Sequence, residues 1–148
     1  MTEHSVVHST FSLERTYDRP VAQVFAAWAD PIAKARWFSS PDAQHQLDFR
    51  VGGREVVSGP VLTFESWYQE IVPDQRIIYT STLSEGNIVA TVSITTVELT
   101  HVSGRTRLLL TESGHFLDAR APPHWRERGN ATAPAVPGTG PAPQPRTR

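Results

Sequence analysis

The chain has 148 residues, 39% of them hydrophobic, and a formal net charge of −1; this bounds it to one domain with a real core and no net field to attract nucleic acid or an anionic membrane. It contains no cysteine, which excludes disulfides, thiolate zinc sites and cysteine nucleophiles and fits a reducing compartment. No apolar stretch approaches the roughly 20 residues that span a bilayer, and Met1 to Ser9 lack a signal-peptide pattern, so a cytoplasmic protein without membrane or nucleic-acid partners is expected.

Residues 1–6 read as a flexible start. From Val7 to Tyr17, Phe11, Leu13 and Tyr17 alternate with Ser12, Glu14 and Thr16, the pattern of a half-buried strand. Pro20 then opens a helix in which Val21, Val24, Phe25 and Trp28 form one apolar stripe. Asp30-Pro31 ends it and starts a second, with Asp30 as the expected N-cap and Ile32, Ala35, Trp37 and Phe38 as the buried side. Neither helix is long enough to be stable alone, so both must dock on a sheet.

Leu47, Phe49 and Val51 alternate with Asp48 and Arg50, and Gly52-Gly53 turns this strand into Arg54–Val57. An aromatic-rich strand follows over Leu62–Ile71, then Arg76–Leu83 after the turn at Pro73-Asp74. In the next strand Ile88, Ala90, Val92 and Ile94 share a face, whereas Val97 and Leu99 lie in the opposite phase. This predicts a β-bulge at Thr95-Thr96. Ser103-Gly104 turns into the last strand, Arg105 to Glu112. The order predicts an α+β fold: a curved antiparallel sheet of about six to seven strands with two short helices after the first strand. From Ala119 onward, scattered prolines replace any hydrophobic period, and 119–148 reads as a largely disordered Pro-rich tail.

Five segments carry a family resemblance: Val24-Phe25-Ala26-Ala27-Trp28-Ala29-Asp30-Pro31, Arg36-Trp37-Phe38, Asp48-Phe49-Arg50-Val51-Gly52-Gly53, Ile71-Val72-Pro73-Asp74-Gln75-Arg76-Ile77-Ile78-Tyr79 and Thr111-Glu112-Ser113-Gly114-His115-Phe116-Leu117-Asp118. Together they resemble proteins similar to the C-terminal domain of the activator of heat-shock-protein-90 ATPase. That group lies within the START-like, birch-pollen-allergen-like (SRPBCC) superfamily. The resemblance implies a helix-grip domain over 7–118, with a hydrophobic cavity between the sheet and a long C-terminal helix. Here that helix is truncated or replaced, since only Pro123 to Arg128 reads as helical, with Trp125 its one aromatic.

The resemblance implies binding of a small hydrophobic or aromatic molecule, without strong catalysis and without a cofactor. Phe11, Leu13, Phe25, Trp28, Trp37, Phe38, Phe49, Val51, Tyr68, Tyr79 and Val92 are the expected lining. Of the strand 64–69, either Phe64, Ser66 and Tyr68 or Glu65, Trp67 and Gln69 face the concavity. Three polar groups are candidates beside them. His45 is in phase with Leu47 and points inward, or it stands at the strand rim. Glu112 and His115 form an acid/base pair, or a strand-end pair in solvent. Arg50 and Arg54 flank the glycine turn and could take a carboxylate, or simply end a hairpin. No metal site is expected, because His4 and His8 have helical spacing in a segment that is not helical. Two alternatives stand beside binding: co-chaperone stimulation of a chaperone ATPase, and a polyketide cyclase/dehydratase-like enzyme. A concave apolar sheet lacking its long helix also leads to an expectation of self-association as a homodimer.

Overall fold

The computed structural model describes residues 6–117. The expectations for the flexible start, the Pro-rich tail, the Pro123–Arg128 helix and Trp125 lie on or run into residues outside that range. Strand β1 (Val6–Tyr17) leads into helices α1 (Val21–Ala29) and α2 (Pro31–Phe38). Strands β2 (Gln44–Leu47), β3 (Arg54–Ser58), β4 (Leu62–Val72), β5 (Arg76–Glu85), β6 (Ile88–Val102) and β7 (Arg105–Leu117) follow as a meander. The sheet order is β1-β7-β6-β5-β4-β3-β2, and every neighbouring pair is antiparallel. The α+β helix-grip architecture expected from the pattern is the one observed.

Proline and aspartate set the helix boundaries. Pro20 is extended (φ −63°, ψ 153°), and its carbonyl accepts from the Gln23 and Val24 amides at 3.0 and 3.2 Å. Asp30 serves both helices: its amide donates to the Ala26 carbonyl at 2.9 Å, and its Oδ2 accepts from the Ala33 amide at 2.9 Å. Helix α1 buries Val24 and Trp28 against Leu13, Val97, Leu99, Leu108 and Leu110. In α2 the expected buried side is corrected. Ile32 is 69% exposed, and the fully buried residue is Lys34. Lys34 lies three and four positions before Trp37 and Phe38 and so shares their face, whereas Ile32, two positions earlier, does not.

The strand after α2 is shorter than its alternation predicts. It ends at Leu47, and Phe49 and Val51 lie in a tight connection to β3. There the Gly53 amide donates to the Arg50 carbonyl at 2.7 Å, and Gly52 and Gly53 exchange backbone bonds with Tyr68 at 2.8 and 3.0 Å. A Cβ on Gly53 would collide with the Asp48 carbonyl oxygen, so the connection requires glycine.

The bulge in β6 is also displaced. Thr95 and Thr96 pair regularly with Tyr79 and Ile78. The register breaks earlier, where Leu83 pairs with Thr91 but Ser84 pairs with Val89, leaving Ala90 as the extra residue. Past that point the inward set is Thr91, Ser93, Thr95, Val97 and Leu99, all buried. Val92 and Ile94 face outward at 41% and 51% exposure. The apolar phase change in the sequence is therefore no bulge: this stretch of β6 turns its polar side chains inward.

Candidate functional site

Residues that pair directly across the strands form transverse rows on the inner face of the sheet. The first row is apolar and lies under the helices: Ile71, Ile77, Val97, Leu110 and Leu13. The next consists of Tyr68, Tyr79, Thr95, Glu112 and Phe11. Then comes a row of small side chains, Ser66, Ser81, Ser93 and Gly114, closed by Glu55 at the β3 end and Ser9 at the β1 end. Beyond it lie Val57, Phe64, Leu83, Thr91 and Phe116. On β4 and β5 the serines lie between larger side chains, Tyr68 and Tyr79 on one side and Phe64 and Leu83 on the other, and on β6 Ser93 lies between Thr95 and Thr91. Ser66, Ser81 and Ser93 are all buried. The Phe116 ring covers the Gly114 end, where an added Cβ would lie 3.2 Å from the ring.

At the other end stands a buried charged cluster. Glu55 Oε1 accepts from Lys34 Nζ at 2.7 Å and from the Tyr68 hydroxyl at 3.2 Å, and Oε2 is 2.7 Å from His45 Nε2. Lys34 and Glu55 are both fully buried. The Lys34 ammonium is further enclosed by rings, with the centroids of Phe38, Trp28, Trp37 and Tyr79 between 4.5 and 5.6 Å away. Burial would lift the Glu55 carboxyl, but the Lys34 charge and the hydrogen bonds from His45 and Lys34 outweigh it and hold the group below its ordinary value. Burial pulls Lys34 below its ordinary value, with Glu55 opposing. Tyr68 is pushed upward, first by burial and then by the Glu55 charge, so it remains a neutral donor. A second buried carboxylate, Glu112, accepts from the Thr95 hydroxyl at 2.9 Å.

The structure sorts the expected lining residues into several places. Tyr68 and Tyr79 flank the serine row, and Phe11 ends their own row. Leu13 belongs to the apolar core under α1. Trp28, Trp37 and Phe38 enclose Lys34 as well as packing together, with Trp28 and Trp37 ring centroids 4.8 Å apart. Phe25 and Phe49 form an edge-to-face chain with Tyr68, at 5.7 and 5.0 Å. Two residues do not face inward: Val92 points out from β6, and Val51 is 57% exposed at the glycine connection. Between the two sets offered by β4, Phe64, Ser66 and Tyr68 are the inward one.

Of the polar candidates, His45 and Glu112 face inward, and His115 does not. His115 is exposed on the outer face, its ring 4.4 Å from that of His8. It is therefore no partner for Glu112, because adjacent odd and even positions of one strand point to opposite faces. Arg50 and Arg54 border an open depression of about 400 Å³, but each already holds an acid, Asp48 and Glu65 respectively. Lys34, Glu55 and Ser81 were not singled out from the sequence. Strand alternation with Val57 and Tyr79 places Glu55 and Ser81 inward, and helical spacing to Trp37 and Phe38 does the same for Lys34. Those local signals were available; the pairing of Lys34 with Glu55 was not.

The family model for activator of Hsp90 ATPase homolog 1-like proteins matches residues 18–132. Among solved structures, protein Mll3558 from Rhizobium loti is 41% identical, with a TM-score of 0.78 over 85% of this chain and 92% of that one. An uncharacterized protein from Rhizobium leguminosarum is 32% identical, with a TM-score of 0.81 over 89% and 93%. The Hsp90 activator PFC0360w from Plasmodium falciparum shares the fold at 21% identity and a TM-score of 0.55, over 70% and 71%. No protein in the curated set matches the chain.

Proposed function

Starting from the fact that the chain belongs to the activator of Hsp90 ATPase homolog 1-like family, we propose that the inner face of its sheet binds a small, largely apolar molecule without strong catalysis. The observation that carries this reading is the row Ser66, Ser81, Ser93 and Gly114 between rows of larger side chains. A sheet face that only had to pack would place large apolar residues at its centre, as the row under α1 does. Small residues there forgo dispersion contacts that the apolar body of a ligand would supply beside the Tyr68 and Tyr79 rings. Trp28 and Trp37 stand beside that face and serve as reporters. Titration with lipids, sterols and aromatic polyketides should give a saturable change in tryptophan fluorescence for at least one class. A flat response across the whole panel would overturn the reading.

A second reading, a cyclase/dehydratase-like enzyme, draws support from the His45–Glu55 pair. A carboxylate 2.7 Å from Nε2 orients the imidazole, leaving Nδ1 to exchange a proton with a substrate. The test is His45→Gln, which should abolish turnover of a candidate polyketide while keeping its binding. The co-chaperone reading is tested by adding the protein to a chaperone ATPase assay, where reproducible stimulation would promote it above the other two.

A further inference from the structure

We propose that His8 and His115 form a two-imidazole site for a late divalent transition ion, copper(II) or nickel(II), on the outer face of the sheet. The site is independent of the ligand-binding reading, which concerns the inner face. The two residues are direct partners in the β1–β7 register, and both are exposed. Directly opposed positions on antiparallel strands bring their Cβ atoms to about 5 Å, so the sheet itself holds the two imidazoles side by side. Their ring centroids are 4.4 Å apart, with the planes at 69°. The adjacent outer positions are uncharged: Val6 and Thr10 on β1, Ser113 and Leu117 on β7, and Val92 on β6 opposite His115. The Thr10 and Ser113 hydroxyls lie 3.0 Å apart and bond to each other.

The ring separation selects the ion. A metal bonded at about 2.1 Å to a ring nitrogen lies about 3.2 Å from that ring's centre, so two imidazoles at a right angle have centroids about 4.5 Å apart. Tetrahedral ligation opens the angle and moves the centroids to about 5.2 Å. The 4.4 Å found here matches the right-angled arrangement. That is the geometry of copper(II) and nickel(II) with nitrogen and oxygen donors, and imidazole is a ligand both ions favour. The χ2 torsion of an exposed histidine ranges widely, so the edge-to-face rings each turn a nitrogen toward a shared ion without moving the strands. With no carboxylate at the adjacent positions, the ion keeps its charge, and its remaining positions hold water. An ion bound there ties β1 to β7 and stabilises the folded chain by linkage.

The test titrates nickel(II) into the untagged full chain by isothermal titration calorimetry and records the electron paramagnetic resonance of copper(II) at one equivalent. The wild type should bind one nickel(II) ion, show two imidazole nitrogens on copper(II), and melt at a higher temperature with nickel(II) than without it. His8→Gln and His115→Gln should each bind about tenfold more weakly, because each removes a ring already tethered beside its partner. Each should show a single imidazole nitrogen and lose the nickel-dependent rise in melting temperature. His8→Phe keeps a ring against His115 but removes the nitrogens, so it too should lose the ion; nickel(II) binding that survives in it overturns the proposal. His101→Gln, at the far end of β6, is the control and should match the wild type. Both members of the pair lie in solvent, so the ligand-free variants should melt close to the wild type. Loss of binding in only one glutamine variant reduces the site to a lone imidazole and overturns the pair. Undiminished binding in both puts the ion elsewhere on the chain and overturns it as well, as does a wild type that takes up no nickel(II).

Discussion

Lys34 and Glu55 are the residues whose environment departs most from their chemistry. An ammonium and a carboxylate, both fully excluded from solvent, are held 2.7 Å apart beneath a set of aromatic rings. Such a pair adds little net stability over an apolar pair of the same volume, but removal of one member leaves the other buried and uncompensated. Glu55→Gln is therefore expected to lower stability by about 3–5 kcal/mol at neutral pH, measured by urea unfolding. Replacing Lys34 by Met together with Glu55 by Gln should recover much of that loss. The pH dependence follows from the direction of the Glu55 shift. Its folded carboxyl lies below the ordinary value of 4.5, so the unfolded chain takes up the proton first as pH falls. The stabilisation it contributes is complete above pH 4.5 and is lost as pH drops through the lower folded value. Glu55→Gln should flatten this acid limb; an unchanged limb would show that another carboxylate controls it. Burial likewise pushes the Tyr17 phenol up to about 12, so it stays neutral across any ordinary assay range.

At the level of elements, two short connections decide how the helices and the β2–β3 hairpin sit on the sheet. Asp30 caps α2 through the Ala33 amide while its own amide closes α1. Asp30→Ala removes the side-chain cap alone and should cost about 1 kcal/mol, read from the thermal midpoint. At Gly53 the constraint is steric, because an added methyl meets a backbone oxygen that cannot swing aside. Gly53→Ala should therefore cost about 3 kcal/mol, toward the upper end of ordinary point substitutions. At Gly59 a Cβ would meet only the Leu62 carbonyl oxygen at 3.5 Å, so Gly59→Ala should be close to neutral and serves as the control. Equal losses at the two glycines would contradict the steric account.

At the largest scale, the first of the described strands pairs with the last. The β1–β7 register runs from Val6 opposite Leu117 to Tyr17 opposite Thr106, and the Arg105–Asp18 ion pair at 2.9 Å fastens one end. The core under α1 thus draws Leu13 and Leu110 together from opposite ends of the described chain. Closure of so long a loop precedes the contacts that reward it, so refolding should fall in the millisecond-to-second range typical of non-local β topologies. Stopped-flow tryptophan fluorescence measures this, with Trp28 in the core as reporter. A microsecond phase of full amplitude would show that the core forms without β1–β7 closure.

Element boundaries in this protein were legible because they are written locally. Alternation marks β1, β4 and β5, while Pro20, Asp30-Pro31 and the glycine turns punctuate the chain at fixed offsets from the apolar stripes. The aromatic residues beside the serine row were legible for the same reason. Local pattern divides a strand into two faces but does not say which one is buried. In β6 the polar set Thr91, Ser93 and Thr95 went inward and Val92 and Ile94 outward, against the usual rule, because Ala90 bulges and the neighbouring strands hold the register from there. Nor does a sequence announce that a lysine on α2 will meet a glutamate on β3, 21 residues away, out of reach of water. A charge is buried only where its partner is already in place, and a row of small side chains forms only where the strands pair in register. Both conditions depend on contacts distant in the chain, so the Lys34–Glu55–His45 cluster and the serine row exist only once the sheet has closed.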